Sequence, residues 1–356
     1  MTTSIDGAYA FDLPMNADYI IIPKKDNDPL YGVSTFDLVL MTKHILGAQP
    51  FNSPYQWIAA DVNNSRTVTA FDIVQLRKMI LGVDKQFVNN TSWRFLAADY
   101  LFESANILNE SLGELSTITD LHQHKNMDFV AIKIGDINGS AQVSNLQEST
   151  SRNSKEIFTI EIEDRLLEAG KNYDISFTSD QIKEIQGYQF TLAYDDLSVT
   201  NVQPGIMRPE HLGLHRLKEG LITASWNATV SNTSDNHLFT LQITADRTGR
   251  ISELLQLQNN PTITEAYDQD GKELEIVFSF INKEIVNDFE LFQNEPNPFN
   301  GQTTIGFYLP GNSEVELILR DDTGRILKRL KENREEGLNY IQVTELENNK
   351  GLIIIS

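Results

Sequence analysis

Val33-Ser-Thr-Phe-Asp-Leu-Val-Leu-Met-Thr-Lys-His-Ile-Leu-Gly47 and Val68-Thr-Ala-Phe-Asp-Ile-Val-Gln-Leu-Arg-Lys-Met-Ile-Leu-Gly82 are two copies of one pattern. They are offset by 35 residues and identical at eight of fifteen positions. Each copy predicts one helix. Ser34 and Thr69 stand as N-caps, Asp37 and Asp72 follow three residues on, and Gly47 and Gly82 are the C-terminal stops. Phe36, Val39, Leu40 and the stem of Lys43 share one face of the first helix, so the two helices are expected to pack as a pair.

The residues before the second helix are Asp61-Val-Asn63-Asn-Ser65-Arg-Thr67-Val-Thr69-Ala-Phe-Asp72. Counted from Asp61, oxygen-bearing side chains fall at positions 1, 3, 5 and 12. Thr67 can offer its carbonyl at position 7, and Thr69 can hold a water at position 9. This is the donor pattern of an EF-hand type calcium loop, closed by a carboxylate at the helix start. Asp72 would also serve as a capping-box partner without any metal, but capping alone does not account for the alternation of Asp61, Asn63 and Ser65. Projected back onto the first copy, the same positions fall on Asp26, Asp28, Leu30, Gly32 and Asp37, with apolar Leu30 where a ligand belongs. A third fragment, Gly135-Asp136-Ile-Asn138-Gly139-Ser140, has the opening half of such a loop. Its twelfth position would be Gln147, with no helix pattern behind it, so it reads as a tight Asx-type turn.

A chain of 356 residues suggests two or three domains at about 150 residues each. Acidic residues outnumber basic ones 50 to 29, for a net charge of −21. A field of that sign disfavours nucleic acid and anionic membrane surfaces. Cysteine is absent, which excludes disulfides, thiolate-bound zinc and thiol catalysis. No apolar run reaches transmembrane length, and the first residues lack a signal peptide's pattern. Both ends are expected to be cut: the start carries no leader, and Gly351-Leu-Ile-Ile-Ile-Ser356 reads as a strand stopped in mid-run.

The remaining signals are β. Ala8–Leu13 alternates, and Asp18–Ile22 is β-branched. Phe129–Ile134 is a strand candidate, and residues 140–155 read as a polar linker. Tyr188, Phe190, Leu192 and Tyr194 alternate with polar or small residues, as do Phe239, Leu241, Ile243 and Ala245, which argues for an antiparallel sandwich over 156–282. A smaller β segment follows over 286–356, opened by Asn294-Glu-Pro-Asn-Pro-Phe-Asn300.

Four resemblances attach to these residues. Asp6-Gly7-Ala8-Tyr9-Ala10-Phe11 resembles a strand of prealbumin-like surface repeats, so residues 1–24 are expected to be the tail of such a domain. The duplicated loop–helix unit, the Asp61/Asn63/Ser65/Asp72 spacing and the Ile-Leu-Gly helix ends resemble the dockerin family; a dockerin-like unit is assigned to 25–142 and a linker to 143–155. That resemblance implies two Ca2+ ions and docking onto a cohesin partner. Gly187–Asp195, Gly220–Trp226, Leu238–Leu241 and Thr264–Tyr267 resemble a cohesin-type or carbohydrate-binding-type sandwich, assigned to 156–284. The Asn294–Asn300 run, Thr304–Pro310, Val315–Leu319 and Asp322-Thr-Gly324 resemble a type IX secretion C-terminal sorting domain over 286–356, incomplete at its end.

The expected architecture is multidomain and mainly β: a small α-helical EF-hand-like unit, an antiparallel β-sandwich, and a small Ig-like β-sandwich tail. The expected function is a secreted, non-catalytic scaffold or adhesion segment on the surface of a Gram-negative bacterium. Its candidate calcium ligands are Asp61, Asn63, Ser65, Thr67 and Asp72, with Asp26, Asp28, Gly32 and Asp37 for the first copy. The expected partners are a cohesin-like domain, in this chain or another, and the type IX secretion machinery. The alternative is a carbohydrate-binding accessory region of a polysaccharide-degrading enzyme, with Trp226 as a sugar platform, although a lone strand Trp is more often core. A bare adhesin gripping a surface protein is a third reading. His211-Leu-Gly-Leu-His215 lacks the Glu of a zinc-protease helix, and His122-Gln-His124 reads as a solvated loop. No P-loop, dinucleotide fingerprint or Gly-x-Ser-x-Gly occurs.

Overall fold

The structure is a computed structural model that describes residues 3–4, 7–103, 107–141, 156–228, 235–281, 289–344 and 354–355. The proposed linker and Gln147 lie outside these residues. The chain divides into two compact units, residues 1–282 and 283–356.

The first unit opens with strand β1 (Tyr19–Ile21) and helices α1 (Thr35–Ile45), α2 (Pro54–Ala60) and α3 (Ala70–Ile80), followed by β2 (Trp93–Ala97), β3 (Ser116–Ile118) and β4 (Phe129–Lys133). Both repeat helices have the expected boxes. Asp37 accepts from the Ser34 backbone and Asp72 from the Thr69 backbone, and each cap hydroxyl accepts from the backbone two residues on. Gly47 and Gly82 end the helices at φ 72° and 71°, a conformation that favours glycine. Leu38 and Met41 of α1 meet Leu76 and Ile80 of α3, joined by Val33, Val62 and Ile137. Residues 8–13 form no strand, whereas β1 pairs antiparallel with β3 and Tyr9 donates to the Met127 carbonyl. An alternating run becomes a strand only with a neighbour to complete its hydrogen bonds. β2 and β4 pair antiparallel over five residues each.

The larger part of the unit is one curled sheet of ten strands with a separate two-stranded ribbon. The strands of this region are β5 (Ile157–Glu163), β6 (Leu166–Leu167), β7 (Asn172–Thr178), β8 (Ile185–Tyr194), β9 (Leu197–Pro204), β10 (Leu212–Gly213), β11 (Leu221–Asn227), β12 (His237–Ala245), β13 (Gly249–Arg250), β14 (Leu255–Gln258), β15 (Glu265–Asp268) and β16 (Glu273–Ile281). The order is β10-β11-β8-β15-β16-β5-β7-β12-β9, with β14 also on β8 and β6 paired separately with β13. The pairings are antiparallel except for β16 with β5. The sheet wraps one core in which Phe158, Phe177 and Phe239 from one side meet Tyr188, Phe190 and Ile222 from the other. Trp226 belongs to this core, 6% exposed and stacked on Tyr188.

The second unit holds β17 (Glu290–Leu291), β18 (Glu295–Asn300), β19 (Gln302–Leu309), β20 (Ser313–Arg320), β21 (Ile326–Arg334), β22 (Gly337–Thr344) and β23 (Ile354–Ile355). β19 pairs with β17, β18 and β22, while β20 lies between β21 and β23. Ile305, Phe307 and Leu309 pack with Leu317, Leu319, Ile341 and Val343. Asn294, at the start of the Pro-Asn-Pro-Phe run, is buried and donates to the Thr303 hydroxyl at 2.9 Å.

Phe177 and Phe239 stack with ring centroids 4.4 Å apart and no exposed surface. Phe177→Ala is expected to cost about 3–5 kcal/mol in equilibrium urea unfolding; a loss below about 1 kcal/mol would contradict this packing.

Candidate functional site

The loop before α3 closes on itself through oxygen. Ser53 caps α2, which ends at Asp61, and the chain then turns through Asn64 and Arg66 at φ 54° and 68°. The Asp61 carboxylate accepts from the Ser65 amide at 2.8 Å and the Arg66 amide at 2.9 Å. The Asn63 carbonyl oxygen accepts from the same Ser65 amide at 2.9 Å. The Ser65 hydroxyl reaches Asp61 and the Thr67 carbonyl. Asp72 accepts from the Asn63 amide at 3.3 Å and the Thr69 amide at 2.9 Å. All five residues singled out in this loop are thus joined in one network. Asp61 is 1% exposed and Asp72 fully buried. Burial pushes the Asp61 carboxyl up from its ordinary value, against the Arg66 and Ser65 amides, and the charge of Asp72 pushes the same way.

The first copy is arranged differently. Asp26 accepts from the Ser92 amide at 2.8 Å, and Asp28 from the side chain of neighbouring Asn27. Leu30 packs against the helix-pair core. Asp37 turns to a distant segment: it accepts from the Ile137 amide at 2.7 Å and the Asn138 amide at 3.3 Å. The Gly32 carbonyl accepts from the Ser140 hydroxyl at 2.9 Å. Asp37 therefore joins the turn at 135–140, whereas Asp26 and Asp28 take other partners. Burial lifts the Asp37 carboxyl to about 8, with the Asp136 charge adding to the rise. Among the described residues no three His, Asp or Glu side chains gather into a metal cluster. The carboxylates come in twos, Asp61 with Asp72 and Asp37 with Asp136, and the other donors are amide, hydroxyl and carbonyl oxygens. Such a donor set suits a hard cation.

Sequence reasoning missed the face on which the helices rest. Strand alternation sends Gln189 and Thr191 of β8, and Thr223, Ser225 and Asn227 of β11, to the side opposite the sheet core. All five are buried: Gln189, Thr223, Ser225 and Asn227 bond the helical segment, and Thr191 bonds Thr262. Gln189 accepts from the Thr35 amide at 2.7 Å, and Ser225 shares a hydrogen bond with the Thr35 hydroxyl. Asn227 donates to Thr42 and accepts from Arg77. Thr223 and Thr262 donate to the last carbonyls of the second repeat, on Leu81 at 2.7 Å and Ile80 at 2.6 Å. These are among the carbonyls that a helix end leaves without an internal partner. Phe36 stacks on Tyr267 with centroids 4.9 Å apart, and the Tyr267 hydroxyl reaches Ser34. At Gly187 a Cβ would come within 3.0 Å of Val39, so the helix rests closely on the sheet.

His124 bonds Asn126, while His122 bonds Asn16 and pairs with Asp120. His211 accepts from the Arg208 amide through Nδ1.

A family model described as the dockerin type I domain matches residues 32–81, which makes the helical segment dockerin-like. No curated protein matches the chain. Among solved structures, the chain is similar to the type I cohesin–dockerin complex Coh-OlpC-Doc435 from Clostridium thermocellum: 18% identity, 36% of this chain, 93% of that one, TM-score 0.28. It is similar to the third cohesin ScaC in complex with the ScaB dockerin from Acetivibrio cellulolyticus: 17% identity, 34% of this chain, 94% of that one, TM-score 0.27. A non-cellulosomal cohesin from Archaeoglobus fulgidus is 18% identical over 35% of this chain and 92% of its own, with TM-score 0.24.

Burial and the Arg77 guanidinium hold His211 down at about 4, with Arg208 acting the same way and Glu210 opposing. Neutral His211 is therefore favoured in the fold, and its stabilisation is complete above the unfolded value of about 6.5 and lost as pH falls towards 4. Between pH 7 and 4 the parent should lose up to about 3 kcal/mol more than His211→Gln, measured by urea unfolding at each pH. Parallel profiles would refute the assignment.

Proposed function

We propose that residues 1–282 form a secreted, non-catalytic scaffold or adhesion segment in which a dockerin-like helix pair docks in cis on a cohesin-like sandwich. The observation that carries this reading is the interlocked polar face. Gln189, Thr223, Ser225, Asn227 and Thr262 spend their hydrogen bonds on α1 and α3 or on the carbonyls at their ends. A helix pair engaged in this way has its sheet-facing side covered, so it acts as a rigid joint within the chain. In the dockerin family such units hold calcium, and the oxygen-only loop before α3 fits that ion. Asp61, Asn63, Ser65, the Thr67 carbonyl and Asp72 would hold it. Bound calcium would offset the repulsion of two buried carboxylates and so contribute to folding. The second unit is proposed as the sorting domain that hands the protein to a type IX secretion system, a reading supported by the sequence resemblance carried by the Asn294–Asn300 run, Thr304–Pro310, Val315–Leu319 and Asp322–Gly324. The carbohydrate-binding alternative loses its one named residue, because Trp226 is buried against Tyr188.

Docking in cis predicts a monomer whose melting temperature does not change with protein concentration. A dimer at micromolar concentration, with a concentration-dependent melt, would establish docking between chains instead. Ser225→Arg, which drives a bulky charge beneath α1, should lower the melting temperature of the helical segment while the sandwich core stays folded, read by hydrogen exchange of α1 and α3 against β5 and β12. In a separate test, calcium at about 100 times its dissociation constant should stabilise the chain by about 2.7 kcal/mol per site, several degrees in a melt. The component due to the second loop should vanish in Asp61→Ala/Asp72→Ala. A variant with the parent's full calcium shift would reduce Asp72 to a helix cap.

A further inference from the structure

We infer that the first calcium loop of this chain is split: Asp136, Asn138 and Ser140 open it, and the Gly32 carbonyl and Asp37 close it. The inference rests on the calcium reading above and names which residues of this chain serve the first site. The uninterrupted loop is the template. There the carbonyl at position 7, on Thr67, precedes the closing carboxylate Asp72 by five residues, as Gly32 precedes Asp37. Asp136, Asn138 and Ser140 have the spacing of Asp61, Asn63 and Ser65.

A set of hydrogen bonds recurs in both sites, and the bond from the Ile137 amide to Asp37 is an addition of the split one, since the equivalent Val62 amide bonds the Ala60 carbonyl. Ser65 donates its amide to Asp61 at 2.8 Å and to Asn63 at 2.9 Å; Ser140 donates its amide to Asp136 at 3.0 Å and to Asn138 at 2.9 Å. Arg66 completes the first turn on Asp61 at 2.9 Å, and Ala141 does so on Asp136 at 2.8 Å. The Ser65 hydroxyl donates to the Thr67 carbonyl, and the Ser140 hydroxyl donates to the Gly32 carbonyl. The Asn63 amide reaches Asp72 at 3.3 Å, and the Asn138 amide reaches Asp37 at the same distance. The donor chemistry is also shared: two carboxylates, one amide oxygen, one hydroxyl and one carbonyl in each site.

Packing holds the two halves together. Ile137, between two of the proposed ligands, lies in the core formed by Leu38, Met41, Leu76 and Ile80. Gly32 has φ +72°, and a Cβ there would stand 2.6 Å from that of Ala141, so the segments touch where the uninterrupted loop has a peptide bond. At Gly135 a Cβ would stand 2.6 Å from Leu76, which sets the incoming segment directly on α3.

The test is calcium binding by the full chain, with stoichiometry from isothermal titration calorimetry after chelator treatment and folding followed by circular dichroism. Two ions should bind. Asp136→Ala should bind one, Asp26→Ala/Asp28→Ala should still bind two, and Asp61→Ala should keep only the split site. Ser140→Ala, a smaller change that keeps both carboxylates, should weaken one site on the order of tenfold or more while circular dichroism stays at the parent's value. Two ions bound by Asp136→Ala, or the loss of one in Asp26→Ala/Asp28→Ala, would overturn the split loop. A single ion that is lost in Asp61→Ala and indifferent to Asp136→Ala would overturn it and leave the calcium reading standing. No binding at all would overturn both.

Discussion

The polar face shared by β8 and β11 is the constraint on which the first unit depends. A sheet strand with one face in a core normally turns its polar residues to water. Here Gln189, Thr191, Thr223, Ser225 and Asn227 are taken out of water, and an unmade hydrogen bond at any buried polar atom costs on the order of 1–3 kcal/mol. Such a face is stable only when covered by groups that need those bonds. The start of α1 and the last carbonyls of the second repeat supply them, because helix ends carry unpaired backbone groups. The match is reciprocal: the helix pair completes the sheet, and the sheet completes the helices. The fit is not perfect, since the Arg77 Nε is buried without a partner, although its guanidinium, pushed down to about 10 by burial, stays charged at neutral pH.

Much of this arrangement was legible in the sequence wherever the determining interactions are local. The capping boxes at Ser34 and Thr69 join residues three apart, and Gly47 and Gly82 end their helices through their own backbone. Strand β4 and the alternation in β8 and β12 follow from side-chain period alone. The hydrogen-bonded loop from Asp61 to Asp72 was legible as a loop for the same reason, since its side chains lie within twelve residues. What stayed hidden is non-local. Gln, Thr and Ser on a strand carry the same signal whether they face water or a helix. The alternation at 8–13 gives no sign that a strand neighbour is missing. The turn at 135–140 bonds Asp37, a hundred residues earlier, and no linear spacing rule joins the two.

The charge distribution belongs to the same account. A chain with a net charge of −21 gains little from exposed ion pairs, yet it buries Asp37 beside Asp136 and Asp61 beside Asp72. Backbone amides at the start of each loop and helix offset part of that cost. A cation bound as proposed above would offset the remainder.

The meeting of Gly32 with Ala141 bears on where this module begins and ends. The family model spans residues 32–81, and a gene fragment cut to those limits would contain both repeat helices. It would lack Ile137 from the helix-pair core, the amides that Asp37 accepts, and every sheet residue that receives the helix ends. The smallest piece that keeps these contacts runs from before Gly32 through Tyr267. A boundary drawn from sequence likeness would separate Asp37 from the amides it accepts and the helix ends from the sheet residues that receive them, so the stretch that matches and the stretch that packs together are not the same length of chain.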